Sequence, residues 1–221
     1  TRLTADALTE AAFGKYTTQN RPVSTLTFAL NYYFHGYRPF GYRLVNVAFH
    51  VLTGFFLFLF LRETLSLPAV GLGRRQAGSV AFAAALLWLV HPVNTQSVSY
   101  VVQRQNAMAA LFYIAAFWFY VRGRKAIGRS TRTGWMTAAA LSWLLALGSK
   151  ENAAVLPLFI LLYEWFFFQD LRRDWFRNHG KTILIAICLL ALAAALYLGP
   201  APIAKLSSLL EFSGRDFTLQ E

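Results

Sequence analysis

The chain has one cysteine in 221 residues and few charges: 14% are charged, with 10 acidic residues against 21 lysines and arginines. Cys188, inside an apolar run, can close no internal disulfide and says nothing of redox compartment. Four histidines and that cysteine lack any recognised metal spacing, so no metal ligands are assigned and a divalent-metal requirement stays open. There is no GxSxG elbow, P-loop, Rossmann glycine pattern, HExxH or Ser-His-Asp order, which removes the templates of soluble hydrolases, nucleotide-binding enzymes and zinc proteases. No solenoid-type repeat appears. The opening TRLTADALTE is neither a signal nor a transit peptide, which places the expected targeting information in the membrane helices or upstream of residue 1.

What the sequence has is apolar surface. At 57% hydrophobic residues the composition fits a polytopic, all-α integral membrane protein whose apolar side chains face lipid. The net charge of +11 is scattered in short clusters between apolar runs, without a motif that reads or stacks bases. That pattern excludes nucleic acid as a partner and points to membrane lipids and the positive-inside rule.

The stretch HPVNTQSVSYVVQRQNAMAALFYIAAFWFY, residues 91 to 120, joins a polar, Arg-bearing segment to a membrane-length apolar run. Read as one helix of 3.6 residues per turn, Thr95, Ser99, Gln103 and Asn106 share a side that Gln96 and Arg104 widen, with Val98, Val101 and Val102 opposite. The expectation is an amphipathic helix lying in the interface, which dives into the bilayer from about Asn106. His91-Pro92 marks the break before it.

Along the chain, residues 1 to 40 carry no span and read as a non-cytoplasmic loop, with an interfacial helix over VSTLTFALNYYFHGY after Arg21-Pro22. Tyr32, Tyr33 and Tyr37 suit an aromatic belt there, and Arg21 is either part of that anchor or faces a substrate. Residues 41 to 199 hold about six expected spans: 41–61, 78–90, 106–120, 134–148, 153–168 and 182–198. Arg43, Asn46 and His50 line one face of the first; His50 is either functional or a helix-to-helix hydrogen bond. Residues 200 to 221 form a non-cytoplasmic tail. Basic residues crowd three alternate loops: Arg62, Arg74 and Arg75; Arg122, Arg124, Lys125, Arg129 and Arg132; and Arg172, Arg173, Arg177 and Lys181. By the positive-inside rule these loops are cytoplasmic, and residues 91 to 106 and 149 to 152 lie on the other side.

On that outer face stand the cations Arg21, Arg104 and Lys150, the carboxylate Glu151, and the amides Asn94, Gln96, Gln103 and Asn106. Cations at a lipid interface suit a lipid-linked phosphate, and suit ordinary phospholipid headgroups as well.

Three blocks add a resemblance: RPVSTLTFALNYYFHGYRPFGYRLVNVAFHVLTGFFLFLFL, HPVNTQSVSYVVQRQNAMAALFY and SKENAAVLPLFILLYEW. Their order and spacing resemble the membrane half of the transmembrane-and-tetratricopeptide-repeat O-mannosyltransferases and their bacterial relatives, in the GT-C class of glycosyltransferases. The resemblance covers residues 21 to 165 and, more weakly, GRDFTLQE. It implies a multi-span enzyme of GT-C-like fold that takes a sugar from a polyprenyl-phosphate carrier on the non-cytoplasmic face and attaches it to an acceptor, often a protein hydroxyl. An inner-membrane location in a bacterium is expected with it. The family carries an acidic pair in the first outer loop after an initial membrane helix; here Asp6 stands alone, so the catalytic residues are unassigned and the chain is expected to be an internal portion of a longer protein. On this reading Arg104 and Lys150 contact the phosphate. His91, Gln96 and Asn106 position them or the headgroup, and Glu151 orients Lys150. A lipid-carrier transporter, which would need a polar path through Arg43, Asn46 and His50, and a non-catalytic scaffold subunit remain the alternatives.

Overall fold

The computed structural model describes residues 4–14 and 21–198, and every regular element among them is helical. The expected tail, 200 to 221, lies outside the described residues.

α1 (Ala5–Phe13) is a helix where only loop was expected. Its signal is local: Thr4 caps it by accepting from the Ala7 N–H, Asp6 sits in the first turn, and the rest is rich in helix formers. α2 (Pro22–His35) begins with proline at its first position, where no N–H is needed. It stops at Gly36, whose φ of +57° only glycine adopts without strain and whose N–H bonds the Tyr32 carbonyl. α3 (Pro39–Leu65) is again opened by proline, and its 27 residues make it about 40 Å long. That exceeds the roughly 30 Å of a hydrocarbon core.

α4 (Arg74–Val90) ends where His91 turns extended before Pro92, as the residue before a proline prefers. The next stretch corrects the expected single amphipathic helix. A 3₁₀ turn (Pro92–Asn94), the short α5 (Thr95–Ser99), an extended Tyr100 and a second 3₁₀ turn (Val101–Gln103) precede α6 (Arg104–Lys125). β-Branched Val98, Val101 and Val102 and the hydroxyls of Thr95, Ser97 and Ser99 weaken helix here, and the break at Tyr100 shifts the helical phase. The polar arc read from Thr95 to Asn106 therefore does not exist as one face.

α7 (Arg129–Ser149), α8 (Leu156–Phe167), α9 (Arg173–Asn178) and α10 (Gly180–Leu198) complete the described chain. Among the described residues α3 is long and apolar enough to cross a membrane, and α4 with Pro92–Ser99 passes the same test as a pair bent by 50°. α8, at 12 residues, rises only about 18 Å and is too short to cross by itself.

α6 is the central helix: it packs on α3 and on α7, α3 packs on α4, and α8 on α10. Near one end, Leu67, Phe117, Val121, Leu156 and Tyr163 form a buried core that Phe60 and Tyr113 extend. The same end locks α8 to α6 through Glu164, which accepts two bonds from Arg124 (2.6 and 2.7 Å), one from the Tyr120 hydroxyl (2.5 Å) and one from Gln169 (2.7 Å). With both carboxylate oxygens satisfied, the buried charge is compensated. At the other end α2 lies on α7 so closely that a Cβ on Gly148 would sit 2.6 Å from Val23 Cγ2. This approach brings residue 21 beside residue 151.

Candidate functional site

The N-terminal end of α2, the broken segment 92–103, the first turns of α6 and the α7–α8 hairpin meet at one end of the bundle. Arg21 ties three of them: Nε and Nη2 grip Glu151 Oε2 (2.9 Å) and Oε1 (2.6 Å), and Nη1 donates to Gln105 Oε1. Ser24, fully buried, adds a bond to the Ser149 carbonyl at 3.4 Å. Lys150 donates to Asn106 Oδ1, and Asn106 Nδ2 donates to Gln103 Oε1. Arg21, Glu151, Lys150 and Asn106 are thus brought together as the sequence suggested, with one change of partner: Glu151 bonds Arg21, and acts on Lys150 only through its charge.

Burial pushes the Glu151 carboxyl up, but hydrogen bonds and charge from Arg21, joined by Lys150, outweigh it and hold the group below its ordinary value of 4.5. A carboxylate whose folded pKa is depressed stabilises the fold above the unfolded pKa, and this contribution is lost as pH falls through the folded value. Thermal unfolding of Glu151→Gln should therefore show less loss of stability below about pH 4.5 than the parent chain, a flattening of the acid limb of the kind that linkage requires.

Beside this network lies a cavity of about 450 Å³ between α3, α4, α6 and the hairpin. Asn94, Ser97, Asn106 and Asn152 supply amides and a hydroxyl; His50, Thr53, Trp88 and Tyr113 come from the α3, α4 and α6 helices. The volume falls in the range of small-molecule sites, roughly 300–1,000 Å³. His50 Nε2 is 2.8 Å from the Leu89 carbonyl, an acceptor, so Nε2 carries the hydrogen of that bond. The ring rests 4.9 Å from Trp88. The helix-to-helix hydrogen bond expected of His50 is present, and the same side chain lines the cavity. Among the described residues no carboxylate lines the cavity, and no group of three His, Cys, Asp or Glu side chains is placed to hold a metal.

Arg104 is elsewhere. It does not project outward from an interfacial helix: its side chain is fully buried, with relative exposure of 0%. Nε donates to Asn46 Oδ1 (2.9 Å), Nη1 to the Thr27 carbonyl (3.2 Å), and Nη2 to Asn31 Oδ1 (2.6 Å) and the Tyr42 carbonyl (3.0 Å). Phe28 and Tyr42 present ring faces 4.6 and 5.4 Å from its guanidinium carbon. This corrects the expected phosphate contact to a strut that holds α2 and α3 to the start of α6. Of the other expected residues, His91 is exposed, and its Nδ1 accepts from the Val93 N–H to cap the turn after α4. Gln96 is exposed and outside the cavity lining. On α3, Asn46 and His50 turn inward as expected, whereas Arg43 is exposed, so the three do not share an environment.

Sequence reasoning missed Gln105, Ser97 and Asn152, and noted Asn94 without giving it a role. Gln105 sits between Arg104 and Asn106 and was hidden by attention to the polar arc; the amide in Lys150-Glu151-Asn152 was the available sign for Asn152.

The comparisons agree with the three converging blocks. The profile of the dolichyl-phosphate-mannose-protein mannosyltransferase family matches residues 19–198. Among curated proteins the chain is 33% identical over 165 residues to protein O-mannosyl-transferase Tmtc3 of Drosophila melanogaster, covering 69% of this chain and 18% of that protein. It is 30% identical over 186 residues to protein O-mannosyl-transferase TMTC2 of Mus musculus (81% and 21%) and 32% identical over 140 residues to TMTC4 of the same organism (60% and 19%). The chain thus spans about a fifth of the length of these relatives. No solved structure matches it significantly. By the extent of the profile match and the coverage of these relatives, the chain belongs to the dolichyl-phosphate-mannose-protein mannosyltransferase family, and within it resembles the TMTC-type O-mannosyltransferases.

Proposed function

We propose that this chain forms the donor-binding part of a membrane glycosyltransferase that moves a sugar from a polyprenyl-phosphate carrier to a protein hydroxyl on the non-cytoplasmic face. The observation that carries the reading is the convergence of the three family-like blocks at one cavity: His50, Asn106 and Asn152, one from each block, line it, Lys150 bonds Asn106 from just outside the lining, and Arg21 ties Gln105 to Glu151 beside them. In such a transfer the bond between the anomeric carbon and the phosphate oxygen breaks, the acceptor oxygen bonds to that carbon and loses its proton, and the carrier leaves as a phosphate. Lys150 is the cation placed beside the cavity to hold that phosphate, as a point charge whose attraction grows with the departing negative charge. Arg21 and Glu151 are positioning residues that fix the hairpin bearing Lys150. Asn94, Ser97, Asn106 and Asn152 are suited to sugar hydroxyls, Trp88 to a sugar face.

The six-span arrangement belongs to the same proposal, with the cavity at the outer ends of α3 and α6 and the Arg122–Arg132 stretch inside. The relatives reported above are animal proteins, so the location is proposed only as an integral membrane, not as a bacterial inner membrane. The test uses the protein expressed from its complete native reading frame in sealed membranes of known sidedness, with Cys188→Ser as background. Thr95→Cys should react with an impermeant thiol reagent from the non-cytoplasmic side and Ser130→Cys should not, and a polyprenyl-phosphate sugar offered on that side should be consumed. The reverse labelling, or consumption only from the other side, would overturn the assignment of the face.

A further inference from the structure

A second cavity, of about 210 Å³, opens at the far end of α3, about 20 Å beyond His50 at 1.5 Å per residue. It is lined by Arg62, Glu63 and Ser66 from the C-terminal end of α3, Arg74 from the start of α4, and Lys125 from the end of α6. Its charge does not balance. Three cations share a lining with one carboxylate, and that carboxylate is already occupied: Lys125 bonds Glu63 Oε2, Arg122 lies 3.4 Å and Arg62 4.0 Å from Oε1. Arg74 has no ion-pair partner among the described residues. The nearby Arg124 shows the contrasting case: Glu164 takes its fork in a closed bidentate pair that leaves no charge over.

Like charges gathered around a concave space repel one another unless an anion enters. The backbone adds to the deficit. Gly73, before α4, offers no side-chain cap, and the first turn carries Arg74 and Arg75 with no acid, so that turn supplies no anion of its own to its free N–H groups. The volume is below the usual range for nucleotide-sized or drug-sized ligands, roughly 300–1,000 Å³, and suits a single phosphate group. Arginine forks and an ammonium are the groups that bind one.

We propose that this cavity is a phosphate-binding site, separate from the transfer site and at the opposite end of the bundle, and that an anionic lipid headgroup at that membrane surface fills it. It does not depend on the glycosyltransferase reading.

The test takes the delipidated protein, from its complete native reading frame, and measures by native mass spectrometry the retention of dioleoylphosphatidylglycerol, with dioleoylphosphatidylcholine as the zwitterionic control and inorganic phosphate as competitor. One phosphatidylglycerol should be retained, phosphatidylcholine should not, and Arg62→Gln with Arg74→Gln should weaken retention at least tenfold. Both arginines are exposed, so the fold should tolerate their loss; Ser66→Asp, which sets a carboxylate against the same cations, should weaken it as much. If inorganic phosphate alone binds saturably with the same sensitivity to the three substitutions, the site is a phosphate site supplied from solution and the headgroup assignment is overturned. Retention that ignores the substitutions, or that does not distinguish the two lipids, overturns the site itself.

Discussion

Arg104→Lys should lower the stability of the protein by about 2–4 kcal/mol, the cost of leaving one or two buried acceptors without a donor. The guanidinium reaches two side-chain amide oxygens and two backbone carbonyls, on α2 and α3, from one rigid fork. An ammonium has three donors and no fork, so at least one of these four buried acceptors loses its partner, at about 1–3 kcal/mol each. The contacts with the Phe28 and Tyr42 rings weaken too, since those faces lie along a flat cation. For a chain of this size 1 kcal/mol corresponds to roughly 2–4 °C in Tm, so a fall of about 10 °C is expected in detergent-solubilised protein. The substrate dependence of whatever folded protein remains should be unchanged, because the four bonds of Arg104 go to Asn46, Thr27, Asn31 and Tyr42, none of which lines the cavity, whereas Lys150 bonds Asn106, which does. A variant as stable as the parent but without transfer would return Arg104 to the phosphate.

Lys150→Gln should do the reverse, keeping the fold and losing turnover. Lys150 is half-buried, its ammonium donates to the Asn106 amide oxygen at the edge of the cavity, and among the described residues no carboxylate lies within ion-pair distance of it. Glutamine can still meet Asn106, so the cost to stability is small. What is lost is a charge-assisted bond to phosphate, worth about 1.5–3 kcal/mol, which lowers kcat/KM by roughly tenfold to a hundredfold if it forms in the transition state. Kinetics of the protein from its complete native reading frame, with donor varied at fixed acceptor, would show this. Unchanged kcat/KM would leave the cavity without its phosphate cation.

The contrast between the two cations marks how far the sequence could be read. Punctuation was legible because it is local: Pro22 and Gly36 bound α2, Pro39 opens α3, and Pro92 ends α4. The pairing of residue 21 with residue 151 was foreshadowed only as shared membership of one face; the chain separation of 130 residues hides the contact itself. Arg104 misled because periodicity was extended across Tyr100, whose extended backbone resets the phase, and because an arginine next to amides looks alike whether it faces water or is wrapped by Asn31 and Asn46. Those two asparagines sit on apolar helices, and their need for a buried donor was the one sign of where Arg104 goes. The cavity was not legible, since its lining is drawn from α3, α4, α5, α6 and two 3₁₀ turns and depends on how the helices cross.

Substrate protection at Ser97 tests most directly whether the cavity holds the donor. Ser97 lines it, whereas Gln96, one residue away, is exposed and does not. In the Cys188→Ser background, Ser97→Cys and Gln96→Cys are labelled with a maleimide in the presence and absence of a polyprenyl-phosphate mannose. The account predicts that the donor slows labelling at position 97 about tenfold, the effect of roughly 1.4 kcal/mol of occupancy at the site, and leaves position 96 unchanged. Equal labelling at both positions with donor bound, in protein that still carries out transfer, would contradict it.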